Sequence, residues 1–249
     1  MHNPGFVKKQ EKKNNPAGKN YVYKKGKKEI SGITPEKRIV TRQTLYLIIM
    51  ERNLKEALKH RRSYYNLGNE SPLGDEEIAD ILKFALTYIP SAFNSQSARL
   101  VLLLGENHRK LWEIVKSTLK KIVPEASYEA SEHKIDKSFL SGYGTVLFYE
   151  DQTVVEYLQK SFPLYGDKFP DWSQQASAMH QLAVWTMLED AGFGASLQHY
   201  NPLIDDEVAA TWQLPQSWHL IAQMPFGKPL QIPAPHENKP LEERLRVFQ

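Results

Sequence analysis

The stretch Asp75–Glu106, "DEEIADILKFALTYIPSAFNSQSARLVLLLGE", changes its hydrophobic period halfway through, and that change decides the fold class. Ile78, Ile81, Leu82, Ala85 and Ile89 follow i, i+3, i+4, i+7 and i+11, one apolar stripe along a helix. Asp75-Glu76-Glu77 put negative charge at its first turn, where the helix dipole favours it, and Pro90 stops it. "RLVLLLGE" (99–106) then reads as a buried strand. Between the two lies "PSAFNSQS" (90–97), six of whose eight residues are polar or small and none charged. A plain turn needs one or two such residues.

The alternation continues in both directions. Upstream, Leu54, Ala57 and Leu58 give a short amphipathic helix ending near "HRRS". Downstream, residues 107–122 form a helix, "GTVLFYED" (144–151) a strand, and residues around 154–161 a short helix. A long helix spans about 172–190, followed by strands at "ASLQHY" (195–200) and "WHLIAQMPFG" (218–227). The class is α+β, several helices around a sheet of about four strands. The long helix is apolar over much of its circumference, through Ala176, Ala178, Met179, Leu182, Ala183, Val184, Trp185, Met187 and Leu188. A helix apolar all round is usually buried, and a subunit interface is one way to bury it.

At 249 residues the chain can form one large domain or two small ones. Its net charge of +3 conceals two halves of opposite sign. Residues 1–49 carry 12 Lys/Arg against 3 Glu, a net +9, which leaves −6 for residues 50–249. The high overall pI therefore gives the body no nucleic-acid-binding face. The basic leader lacks helical or strand periodicity and reads as a disordered, non-functional extension. A nucleic-acid or anionic-surface arm is the alternative, and a transit peptide fits poorly for want of Arg and Ser. Met50 opens "MERNLKEALKHRRS", which reads as a natural N-terminus for a folded body at 50–249.

Several chemistries are excluded. Without cysteine there are no disulfides, thiolate nucleophiles or cysteine-ligated metals. The eight histidines form no HExxH or H-x₃-H pair, and His180 reads as a packed or solvated side chain. No P-loop, G-x-G-x-x-G or G-x-S-x-G motif is present. The longest apolar run, "LYLIIM" (45–50), is far too short to span a membrane. A reducing compartment fits, and the expected location is the cytoplasm.

Two further clusters stand beside the 90–97 loop. "HRRSYY" (60–65) sets two guanidinium groups and a hydroxyl where a helix runs out. Arginine suits bidentate phosphate recognition, though for this motif alone a solvated pair at a helix C-terminus is the plainer reading. "AGFGASLQHYNP" (191–202) ends a helix with two glycines and opens a strand with small residues, so a flat ligand could approach the backbone there. A glycine cap followed by an ordinary strand fits equally well. Together the three clusters suit a ligand with an anionic end and a flat heteroaromatic body, the parts of a flavin mononucleotide.

The Arg61-Arg62-Ser63 corner, "PSAFNSQS", "GYGTVLFYED" (142–151), "GFGASLQHYNPLID" (192–205) and "PFGKP" with "KPLEERLRVF" (225–229, 239–248) resemble, in that order, the FMN-dependent nitroreductase family. They most resemble its fatty-acid-repression-mutant-like branch, over essentially all of 50–249 and none of 1–49. The resemblance implies a nitroreductase-like α+β fold with a mostly antiparallel central sheet, and a homodimer with long interface helices and two shared FMN sites. It places Arg61, Arg62 and Ser63 on the phosphate and the ribityl or pyrimidine side of the flavin. Pro90, Ser91 and Ala92, from the other subunit, would lie against the ring, with Asn94 and Gln96 fixing the loop or reaching the cofactor. Leu197, Gln198 and His199 would present backbone groups at the flavin N5 edge.

The C-terminal basic contribution departs from the family. Arg or Lys often precedes the "KPLEE" stretch, where this chain has His236, Asn238 and Lys239, so Lys228 or Lys239 is expected to substitute. The usual Q-P-W loop ending is Gln96-Ser97-Ala98 here. The implied activity is ping-pong two-electron reduction of nitroaromatic or quinone-like acceptors by NADH or NADPH, with no catalytic side chain assigned. The flavin carries the redox chemistry and the protein orients it. A non-catalytic flavin-binding regulator tied to lipid or stress signalling is the alternative. The expected partners are a second copy of the chain and a small-molecule acceptor, with no membrane and no nucleic acid.

Overall fold

The computed structural model describes residues 54–249 and, before them, an antiparallel pairing of β1 (Tyr23–Lys24) with β2 (Lys27–Lys28). By internal contacts the chain divides into two units, Met1–Ile49 and Met50–Gln249. The expectations for the rest of the leader and for a start at Met50 lie outside the described residues.

The second unit is built on five strands, β3 (Leu67–Gly68), β4 (Ala98–Leu104), β5 (Gly144–Asp151), β6 (Gly194–Ala195) and β7 (Trp218–Pro229). They form an antiparallel sheet in the order β3-β7-β5-β4, with β6 also paired to β7. Central β5 pairs with β4 from Ala98↔Glu150 to Leu104↔Gly144, and with β7 from Gly144↔Phe226 to Asp151↔Trp218. All eight of its residues are buried, because helices cover both faces.

Alternation along β5 divides the core into two layers. Val146 and Phe148 face α2 (Asp75–Tyr88) and α6 (Phe169–Asp190), packing with Ile78, Leu82, Ala85, Val184 and Leu188. Leu147 and Tyr149 face the other way. There they meet α3 (Gly105–Ile122), α4 (Glu125–Ile135), a π-helical turn (Asp136–Leu140) and α7 (Asp205–Trp212), through Leu111, Trp112, Ile135, Phe139 and Val208. α1 (Leu54–His60) packs on α6, and α5 (Gln152–Ser161) closes a smaller cluster through Val155, Leu158 and Phe169.

Several expectations are corrected. The sheet has five strands because two-residue β3 joins it. "ASLQHY" is not a continuous strand: the ladder holds only Gly194–Ala195, and Gln198 rejoins by a single bridge to Gln223. α5 starts at Gln152, where Asp151 Oδ1 accepts from the Thr153 N–H at 3.1 Å. α6 starts at Phe169, with Pro170 in its first turn. Nor is α6 buried all round. Its inner side includes Ser173, Ser177, Gln181 and Thr186, so part of its apolar content falls outside, at Ala178, Met179 and Leu182. α4, the π-helical turn and α7 had no counterpart in the sequence reading.

Candidate active site

The Arg-Arg-Ser corner forms where α1 ends against α6. Arg61 lays its guanidinium over the Trp185 ring, 4.4 Å from the centroid. The indole Nε1 of Trp185 beneath it is buried with no hydrogen-bond partner among the described residues. Arg62 Nη2 donates to the Ala234 carbonyl at 2.6 Å, tying the corner to the C-terminal segment.

Ser63 pairs with Ala195 as a parallel bridge, and the Tyr64 N–H donates to the Ala195 carbonyl at 2.9 Å. Two of the three sequence clusters therefore meet in one chain. Gly194 permits this approach, since a Cβ there would stand 2.8 Å from the Tyr64 ring. Gly192, at φ 93°, makes the left-handed turn that releases the chain from α6 into β6.

The corner opens onto a cleft of about 790 Å³, whose lining includes Arg61, Arg62, Ser63, Lys137, Pro233 and His236. Among the described residues no Asp or Glu lines it. Lys137 comes from the π-helical turn, and His236 from the tail that leaves the sheet at Leu230, whose N–H donates to the Asn66 carbonyl at 3.0 Å. Sequence reasoning missed Lys137 because nothing around it forms a motif. His236 it placed at a family position without choosing it.

The other nominated residues lie elsewhere. Leu197 packs against the α2–α6 core, Gln198 Nε2 donates to Ser196 Oγ at 3.0 Å, and His199 is exposed. Lys228 Nζ pairs with Glu70 at 2.7 Å on the surface, and exposed Lys239 does not line the cleft.

The 90–97 loop is farther still. Phe93 stacks on Trp172 at 5.8 Å and meets Phe169 edge-on at 5.3 Å, both near the start of α6. Trp185, under Arg61, lies 13 residues further along that helix, or about 20 Å at 1.5 Å per residue. One chain does not bring Pro90, Ser91, Ala92, Asn94 or Gln96 to the corner.

Some of the loop's polar groups are engaged within the chain. Ser91 Oγ accepts from the Gln96 N–H at 3.0 Å, and Arg99 Nη1 donates to the Gln96 carbonyl at 2.8 Å. Ser97 Oγ donates to Oε2 of buried Glu150 at 2.5 Å. Burial raises the Glu150 carboxyl to about 7 against the opposing pull of Ser97 and Arg99. Two buried histidines are structural. His180 Nδ1 is paired with the Ala176 carbonyl, and His108, between Thr145 and Leu140, is lowered to about 4 by burial. Among the described residues no His/Cys/Asp/Glu group is arranged to hold a metal, and no helix is long and apolar enough to cross a membrane.

The Nitroreductase family matches residues 58–228. Nitroreductase CinD from Lactococcus lactis, in complex with nicotinic acid, is 42% identical. It covers 79% of this chain and 100% of its own, with a TM-score of 0.73. CinD has also been solved with chloramphenicol and with 4-nitrophenol. In Saccharomyces cerevisiae, HBN1 is 38% identical over 196 residues, 78% of this chain and 95% of HBN1. The nitroreductase FRM2 from that yeast is 32% identical over 183 residues, 73% of this chain and 90% of its own, and represents the branch expected from the sequence. A Desulfovibrio desulfuricans protein solved in complex with FMN shares the fold at 18% identity and a TM-score of 0.58. With its family motifs in order, its sheet and helices in that arrangement, and these relatives along most of its length, the chain belongs to the nitroreductase family.

Proposed function

We propose that the protein is an FMN-dependent NAD(P)H oxidoreductase acting on nitroaromatic or quinone-like acceptors, as a homodimer whose flavin sites are shared between subunits. The observation that carries this reading is the cleft at the Arg-Arg-Ser corner, with several cationic side chains, a hydroxyl and, among the described residues, no carboxylate. That donor set fits the anionic end of FMN. CinD, solved with 4-nitrophenol and chloramphenicol, supports the acceptor class.

The chemistry a bound flavin supplies is two-electron transfer from NADH or NADPH to the acceptor, in two half-reactions. Arg61, Arg62 and Ser63 would hold the phosphate and ribityl side. Positive charge beside the ring would stabilise the negative charge that reduction places there. The backbone after β6, at Leu197, Gln198 and His199, would border the reactive edge. The uncharged 90–97 loop would wall the ring from a second copy, about 20 Å of helix separating it from the corner in its own chain. The exposed stripe Ala178, Met179 and Leu182 on α6 supports that partner, Met179 and Leu182 being 42% and 48% exposed in one chain. A cytoplasmic location belongs to the same proposal.

The test is an anaerobic titration of the purified full chain. It should be yellow, sediment as a dimer, and lose its flavin absorbance on adding NADH or NADPH, then regain it on adding 4-nitrophenol or a quinone. Colourless protein that FMN does not reconstitute overturns the flavin reading. Bound FMN that neither reductant bleaches overturns the enzymatic one.

A further inference from the structure

The π-helical turn between α4 and β5 places one lysine in a setting that neither the family motifs nor the charge pattern marks. A π turn is wider than an α turn and is a frequent device at functional sites. Here it sends consecutive side chains in different directions. Asp136 turns to α3, where Lys116 Nζ meets its Oδ1 at 3.0 Å while also pairing with Glu113 at 2.9 Å. Ser138 and Phe139 are buried, and the Phe139 ring lies 4.8 Å from Trp112 and 6.4 Å from Tyr65. Lys137 is left to line the cleft.

Three facts give Lys137 a role. The carboxylate beside it in sequence is taken by Lys116, and Lys137 Nζ has no ion pair among the described residues. The cleft already carries Arg61 and Arg62 with no acid among the described residues of its lining. Three like charges facing one solvent-filled space repel one another, and an anion bound among them removes that cost. Finally, Tyr65 follows the Arg-Arg-Ser corner by two residues and touches Phe139, so corner and π turn are held in register by one aromatic contact.

We propose that Lys137 is a third cationic binding residue for the phosphate end of the ligand held by Arg61 and Arg62. This rests on the flavin reading of the cleft. A lysine is a compact point charge, so it would contribute phosphate affinity and leave the flavin ring unrecognised.

The experiment compares FMN with riboflavin, which lacks the phosphate, on apo full-chain protein by quenching of flavin fluorescence. Lys137→Gln should weaken FMN binding roughly tenfold while leaving riboflavin binding and the melting temperature unchanged. Lys137→Arg should restore most of the loss. Equal FMN affinity in wild type and Lys137→Gln overturns the assignment. So does a parallel loss of FMN and riboflavin, which would mean that Lys137 acts through the shape of the turn. Wild-type protein that binds riboflavin and FMN alike overturns it too, with flavin binding itself intact. If wild-type protein binds neither, the flavin reading fails instead.

Discussion

The Arg-Arg-Ser corner and the 90–97 loop are both polar segments at helix ends, and they are held in opposite ways. At the corner the backbone is relaxed and finished by pairing: Ser63 bridges to Ala195, and Arg61 and Arg62 are placed by an indole face and a carbonyl. In the loop, Phe93, Asn94 and Gln96 all take left-handed φ values, 55°, 50° and 49°. For residues such as Phe93 and Gln96 that conformation costs about 1–2 kcal/mol each, while asparagine adopts it more readily. The loop persists because Ser91, Ser97, Arg99 and Glu150 fix it from below while Phe93 sits among Phe162, Phe169 and Trp172. A site residue can thus be presented by relaxed structure that ends where it is needed, or by strained structure that a rigid support holds in place. The two regions should answer to substitution differently.

The largest difference is expected at the corner. Arg61→Ala combined with Arg62→Ala removes two charged donors from the cleft and little of the core. With each charge-assisted contact worth about 1.5–3 kcal/mol, FMN affinity should fall on the order of a thousandfold. The purified variant should be nearly colourless, with a flavin-to-protein absorbance ratio near zero. Full flavin occupancy would remove the corner from the phosphate assignment and leave the loop as the stronger of the two regions.

Glu150, beneath the loop, should give a smaller effect that depends on pH. Its carboxyl holds its proton in the folded state up to about 7, whereas the unfolded chain releases it near 4.5. Between those values the folded state binds more protons, so stability falls as pH rises through that window, and the penalty is complete above it. Each pH unit of the gap is worth about 1.4 kcal/mol. Glu150→Gln cannot ionise, so its stability relative to wild type should improve by as much as ~3 kcal/mol between pH 4.5 and pH 8. Denaturant titrations at the two pH values measure this directly. A pH-independent difference would show that Glu150 is ionised in the folded protein, and the support under the loop would then be a charged one.

How much of this was legible in the sequence follows from how local each signal is. β5 is legible from Gly144 to Asp151, because five apolar or small residues, Thr145 to Tyr149, bounded by glycine and acid leave no other element of that length. α2 is legible from its stripe, whereas Arg61-Arg62-Ser63 take their assignment only from the three clusters together and the family resemblance. The failures are non-local. α4 has Ile135 as its one buried residue, too little for a stripe, so the π turn beyond it and Lys137 stayed invisible. The platform under Phe93 comes from Phe162, Phe169 and Trp172, which have no common period and converge only when α5 meets α6. The polar content of "PSAFNSQS" was read as facing a ligand. Part of it is engaged within the chain, Ser91 with the Gln96 N–H and Ser97 with Glu150, around left-handed residues that carry no sequence mark when they are not glycine.

That last point gives the finest test of the comparison. Gln96 is exposed, and the contacts it is seen to make run through its backbone N–H and carbonyl, which glycine would keep. Gln96→Gly therefore removes the left-handed penalty without removing those contacts. Glycine's greater freedom in the unfolded chain takes back part of the gain, leaving a net stabilisation of about 0.5–1 kcal/mol. For a chain of this size that is a rise of about 2 °C in melting temperature. The same exchange at the corner, Ser63→Gly, should give no gain, because Ser63 is not among the left-handed residues and its backbone is already paired. If Gln96→Gly melts lower than wild type, the strain is not stored at that residue and the contrast between the two regions weakens. If it melts higher and also binds FMN less tightly, then the strain costs stability in exchange for a loop held in its binding shape, as expected where rigid support keeps a functional segment in a conformation it would not choose.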